Sequence, residues 1–144
     1  MSGARPEGRI RAVLDTNVYI SAFNSTRGVA FDLWSRAVRH EYALVVSRDI
    51  LTEVAKVLRR DFGWSDSEIV QQLKLVVHAA ELVEPDRSLA VNIPADPDDG
   101  RIVECASAAK ADLIVSADHH LTDLREYQGI RIVHPVDFRR ALGH

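Results

Sequence analysis

The segment RAVLDTNVYISAF, residues 11–23, decides the fold. Ala12, Val13 and Leu14 form an unbroken apolar run, Asp15 ends it with a carboxylate, and apolar residues resume at Val18, Tyr19 and Ile20. A short apolar run that does not alternate with polar residues predicts a strand covered on both faces, as in a parallel sheet wrapped by helices. Packing alone gives no reason for Asp15, because an unpaired buried carboxylate costs several kcal/mol. Some partner or task must justify that charge.

The rest of the chain repeats the pattern. Residues 43–47 (ALVVS), 112–118 (DLIVSAD) and 130–134 (IRIVH) have strand length and are rich in Val and Ile. Between them, 28–39, 48–60, 65–80 and 97–110 carry apolar residues at i, i+3 and i+4, the spacing of one helical face. Ser65 followed by Glu68 is a capping-box signature, and Asp96 followed by Pro97 reads as an N-cap with proline at the first helical position. These elements predict one α/β domain over residues 11–144, a three-layer α/β/α arrangement around a central, mainly parallel sheet. Residues 1–10 read as a flexible lead-in without the apolar core of a signal peptide.

Bulk properties narrow the class. With 144 residues, 47% of them hydrophobic and 27% charged, the chain matches an ordinary globular domain. No apolar stretch approaches the roughly 20 residues of a membrane span. A single cysteine, Cys105, excludes an internal disulfide and a cysteine-based zinc site, and fits a reducing cytoplasm. The net charge of −3 provides no global basic field, so any nucleic-acid contact needs a local patch.

Four acids stand out. Open α/β sheets bind ligands beyond the carboxyl ends of their strands, and two strands here end at Asp15 and Asp118, which would emerge on one edge. Each could instead simply end a strand or cap the next helix. In the helix beginning near Ser47, Ile50, Leu51, Val54, Val57 and Leu58 form the apolar stripe, and Glu53 falls at its margin, near the same edge. In ADPDDGRIVECA the helix dipole explains Asp96 well. It explains Asp98 and Asp99 less well, because both project toward the side carrying Ile102, Val103, Ala106 and Ala109. Helical projection does not separate those two. Two carboxylates about 4 Å apart repel by roughly 4 kcal/mol at an effective dielectric near 20, so such a cluster calls for a cation. Oxygen donors without cysteine or paired-histidine spacing select Mg²⁺ or Mn²⁺ over zinc, and such a site activates water and neutralises phosphoryl charge.

Taken together, VLDTNVYISA, ALVVSRDILTEVAKVL, DPDDGRIVECASAAKADLIVSADHHL and GIRIVHPVDF resemble the PIN-domain ribonucleases, over about residues 11–138. Many members of that family are toxins of bacterial and archaeal toxin–antitoxin pairs, the VapC type among them. The resemblance implies a quartet of Asp15, Glu53, Asp99 and Asp118, with Asp99 favoured over Asp98, and a small polar neighbour at Asn17 or Ser116. It also implies Mg²⁺- or Mn²⁺-dependent hydrolysis of RNA, an antitoxin protein as partner and, as often in the family, a homodimer. Lys56, Arg59, Arg60 and Arg101 are candidate contacts to RNA phosphates, weighed against a plain solvated helix face.

Other readings fare worse. A haloacid-dehalogenase-type phosphatase needs a second aspartate two residues after the first, where this chain has Asn17. A phospho-accepting receiver domain needs a paired acidic cluster and a late lysine. The alternative outside enzymes is a non-catalytic PIN-like module that binds RNA or protein. His119 and His120 are expected to point apart, as adjacent residues do, and Cys105 to be a small packing residue. Trp34, Trp64 and Phe31 are expected in the core or at a helix interface.

Overall fold

Residues Arg11–Leu14 form β1 in the computed structural model, which describes residues 9–85 and 97–143, with 97–99 as helix backbone. Ala12, Val13 and Leu14 are all buried although successive side chains of a strand point to opposite faces. Both faces of β1 are therefore covered, as the apolar run predicts. β2 (Ala43–Ser47) repeats this pattern, with its last four residues buried.

Among the described residues the sheet has six strands in the order β3-β2-β1-β4-β6-β5, with β3 at Glu81–Val83, β4 at Leu113–Val115, β5 at Glu126–Tyr127 and β6 at Ile130–Val133. β1 pairs in parallel with β2 (Val13 opposite Val45) and with β4 (Leu14 opposite Val115). β2–β3 and β4–β6 are parallel as well, and only β5 on β6 is antiparallel. The chain leaves β1 toward β2 and β3, then returns to lay β4 on the other flank of β1. That reversal opens a crevice at the carboxyl ends of β1 and β4, where open sheets place their ligands.

Helix α1 (Thr16–Asn24) starts directly after β1, followed by α2 (Val29–Val38). α3 (Arg48–Phe62) follows β2 without a loop, because the Ser47 hydroxyl caps it by accepting the Ile50 N–H at 3.3 Å. α4 (Asp66–Ala79) opens on the predicted capping box: Ser65 Oγ accepts the Glu68 N–H at 3.1 Å and Glu68 Oε1 accepts the Ser65 N–H at 2.8 Å. Ser65→Ala should cost about 1 kcal/mol, read as a Tm lower by about 3 °C in a chain of this size. α5 (Pro97–Ala109) lies against β1, β2, β3 and β4, α6 (His119–Thr122) is a single turn, and α7 (Pro135–Leu142) begins at the His134 cap.

One core joins these elements. Phe23 meets Trp34 edge-on at 5.3 Å, and Phe138 of α7 meets Tyr42 edge-on at 4.9 Å. Burial raises the Tyr42 hydroxyl pKa, and that hydroxyl donates to the Leu33 carbonyl at 2.8 Å. Trp64 lies at a helix interface, its indole N–H donating to the Asn24 carboxamide of α1 at 3.3 Å. Among the described residues no helix is long and apolar enough to cross a membrane.

Candidate metal centre

Asp15 stands at the N-cap position of α1, yet its side chain makes no capping hydrogen bond. Its N–H extends the β1–β4 ladder by one step, donating to the Val115 carbonyl at 2.9 Å. The residue is only 6% exposed. The Ser116 hydroxyl donates to Asp15 Oδ2 at 2.7 Å across 101 residues of sequence. A carboxylate withdrawn from water, which does not serve the helix it precedes, is not explained as an ordinary cap.

Ser116 is fully buried and pinned by its own N–H, which donates to the Val133 carbonyl at 3.0 Å. The same hydroxyl that donates to Asp15 accepts the Asp118 N–H at 3.0 Å. One serine thus ties the ends of β1 and β4 together and fixes the backbone from which Asp118 projects. Asp118 Oδ1 accepts the His120 N–H at 2.9 Å, so the capping role accounts for one of its oxygens. Its side chain is about a quarter exposed.

Glu53 is half-buried on α3, between the buried Ile50 and Val57. It lines a cleft of about 180 Å³ together with Thr16, Asp49, Lys56, Arg101 and Ile102. Thr16 is the neighbour of Asp15, and Arg101 lies two residues beyond Asp99, so this cleft joins the starts of α1, α3 and α5. Helix α5 begins at Pro97, as the sequence predicts. The side chains of Asp98 and Asp99, and Asp96 altogether, lie outside the described residues.

Asn17 is exposed and opens on a second groove, of about 530 Å³, which also takes in Val18, Phe62, Ala117 and His134. Ala117 separates Ser116 from Asp118, so that groove borders the acidic edge. Of the four candidate cations, Lys56 and Arg101 line the Glu53 cleft, with Arg101 also reaching Glu104 Oε1 at 3.4 Å. Arg59 instead contacts Asp66 Oδ1 through Nε at 3.0 Å and Nη2 at 2.6 Å, and Arg60 forks onto Asp61. Such surface pairs are weak.

One feature departs from the sequence expectations, and a second, Glu104, lies outside them. The His119 and His120 rings do not point apart: they meet edge to face at 4.3 Å. His119 opens a single helical turn whose cap, Asp118, holds the His120 N–H, and His120 Nδ1 comes within 3.8 Å of the same carboxylate. Glu104, inside the apolar run IVECA, is only 8% exposed. The one signal for it is Arg101 three residues earlier, its ion-pair partner on the same helix face. Cys105 beside it is fully buried as expected, and desolvation pushes its thiol up to about 12, which makes it no nucleophile.

Three comparisons place these features among known proteins. The profile of the family described as PIN domain matches residues 11–120. The uncharacterized protein MJ1680 of Methanocaldococcus jannaschii is 26% identical over 123 residues, which span 82% of this chain and 77% of that protein. The crystal structure of PAE2754 from Pyrobaculum aerophilum superposes with a TM-score of 0.63 at 15% identity, covering 94% of this chain and 90% of its own. DNA-bound VapBC from Salmonella typhimurium gives 0.62 at 14% identity, covering 88% and 98%. At these identities the likeness to the solved structures is one of fold.

Proposed function

This chain belongs to the PIN domain family, and from that premise we propose that it is a Mg²⁺- or Mn²⁺-dependent endoribonuclease, the toxin of a toxin–antitoxin pair. The observation that carries the reading is the serine bridge: a buried Asp15 hydrogen-bonded to Ser116, which in turn holds the backbone of Asp118 at the crevice of the sheet. The chemistry of the donors fits the ion, although the carboxylates of Asp15, Glu53 and Asp118 do not all lie within 4.8 Å of one another. Asp15, Asp118 and Glu53 offer hard oxygens, and Asp15 is held away from water without capping its helix. Asp99 enters the set through the family pattern. The nuclease domain is taken as residues 11–144, with 1–10 as its lead-in.

When bound, the ion supplies acidity to a water and charge neutralisation at the phosphoryl group. The chain's own residues do the rest. Ser116 holds Asp15 in place by donating to Oδ2 at 2.7 Å. A carboxylate, Glu53 on the cleft wall or Asp118, orients the attacking water and takes its proton. Lys56 and Arg101, on the same wall, draw the RNA phosphates into the cleft. Attack by water, with no part for the 2′-hydroxyl, leaves a 5′-phosphate and a 3′-hydroxyl. Asn17 supports the same edge from the neighbouring groove. An antitoxin protein is the expected partner, and a homodimer the expected assembly.

The purified protein incubated with mixed RNA and Mn²⁺ should cleave it, and EDTA should stop the reaction. RNA left intact in Mn²⁺ would favour the non-catalytic binding module. Ser116→Ala should lower cleavage about 10- to 100-fold while the fold persists, the cost typical of removing a hydrogen bond behind a metal ligand. The check is the cleavage rate at saturating Mn²⁺ alongside an unchanged circular dichroism spectrum.

A further inference from the structure

We propose that Asp118, His119 and His120 form a second metal site, selective for a borderline transition-metal ion such as Zn²⁺, which competes with the acidic edge for the Asp118 carboxylate. Each of the three side chains offers one ligand atom, and these atoms lie within 4.8 Å of one another. Bonds of about 2.0–2.1 Å in a tetrahedral site put ligand atoms roughly 3.3 Å apart. Asp118 Oδ1 and His120 Nδ1 are already at 3.8 Å. The two histidines are exposed and the carboxylate partly so, and small side-chain rotations close the remaining distance.

The Asp118 cap holds the carboxylate toward the histidine pair, because Oδ1 receives the His120 N–H. The donors are three side chains, two imidazoles and one carboxylate, a set that binds zinc with an open fourth position. Imidazole nitrogen favours Zn²⁺, Ni²⁺ or Co²⁺, whereas the all-oxygen edge favours Mg²⁺ or Mn²⁺. Two adjacent sites of opposite preference thus meet at one residue. An ion seated on the histidines draws Asp118 out of the acidic set. This inhibitory consequence rests on the nuclease reading, whereas the binding does not.

The test titrates Zn²⁺ into the full chain by calorimetry and follows Co²⁺ by its visible ligand-field absorption. We expect micromolar binding of a single ion, a tetrahedral Co²⁺ spectrum, and affinity weakened about tenfold or more in His119→Ala and in His120→Ala. Both variants should melt with the wild type when no metal is present. Zn²⁺ should inhibit Mn²⁺-supported RNA cleavage by the wild type and not by His120→Ala, which retains its cleavage in Mn²⁺ alone. Equal Zn²⁺ affinity in wild type and both variants, or no binding at all, overturns the site. Equal inhibition of wild type and His120→Ala overturns the competition. If no preparation cleaves RNA, the nuclease reading fails, and the titration with its Co²⁺ spectrum still decides the site.

Discussion

Asp15→Asn should lower Mn²⁺-dependent RNA cleavage by about a thousandfold, equivalent to about 4 kcal/mol of lost transition-state stabilisation. The substitution preserves volume, and the asparagine carbonyl can accept the Ser116 hydroxyl as Asp15 Oδ2 does at 2.7 Å. What disappears is the charge. A buried carboxylate opposes folding when no cation is present, so the variant should melt at the same temperature as the wild type or higher in EDTA. Mn²⁺ then separates the two proteins. An ion at about 100 times its Kd adds about 2.7 kcal/mol to the protein that binds it, a Tm gain of about 8 °C. The wild type should show that gain and Asp15→Asn should lose most of it. Undiminished cleavage by purified Asp15→Asn would remove the acid-site mechanism.

The second large effect concerns the fold. Phe138→Ala should destabilise the protein by about 3–5 kcal/mol, the range for deleting a buried aromatic ring. Phe138 is essentially fully buried and stacks edge-on against Tyr42, which enters β2. Its loss opens a cavity between α7 and the core. The expected readout is a Tm lower by about 10 °C or more, with the denaturant midpoint moved down and the slope unchanged. Phe62→Ser is the control. Phe62 is 49% exposed at the end of α3, and its replacement should change stability by no more than about 0.5 kcal/mol.

The central strands and the long helices could be read from residue order because burial imposes their patterns directly. Leu14 and Val115, neighbours in the sheet, both close unbroken apolar runs. The helix predicted over 48–60 runs from Arg48 to Phe62 and ends at Gly63, which takes a left-handed backbone (φ +67°). The margins of the fold were not legible. β3 spans three residues with Leu82 exposed, and β5 only two, too few for any period to show. α1 is not legible because its nine residues follow β1 with only Asp15 between and bunch their apolar side chains at Val18, Tyr19 and Ile20, too few for a helical period to show. At the site, topology anticipates Asp15 directly after β1, whereas β4 stops at Val115 and Asp118 follows three residues later as the cap of α6. Ser116 entered through family resemblance, since no spacing rule reveals one hydroxyl serving two aspartates. The histidine pair is not legible because adjacent residues point apart only at their Cβ atoms, and the long imidazole side chains fold back to meet at 4.3 Å.

The 101-residue separation between Asp15 and Ser116 has a consequence for biosynthesis. A ribosome that has delivered the polypeptide only as far as α4 has made β1 and β2 but no β4. The Asp15–Ser116 bridge does not yet exist, and one flank of β1 stands open. Contacts of such long range form late and slowly. Premature release therefore yields a fragment whose bare strand invites self-association.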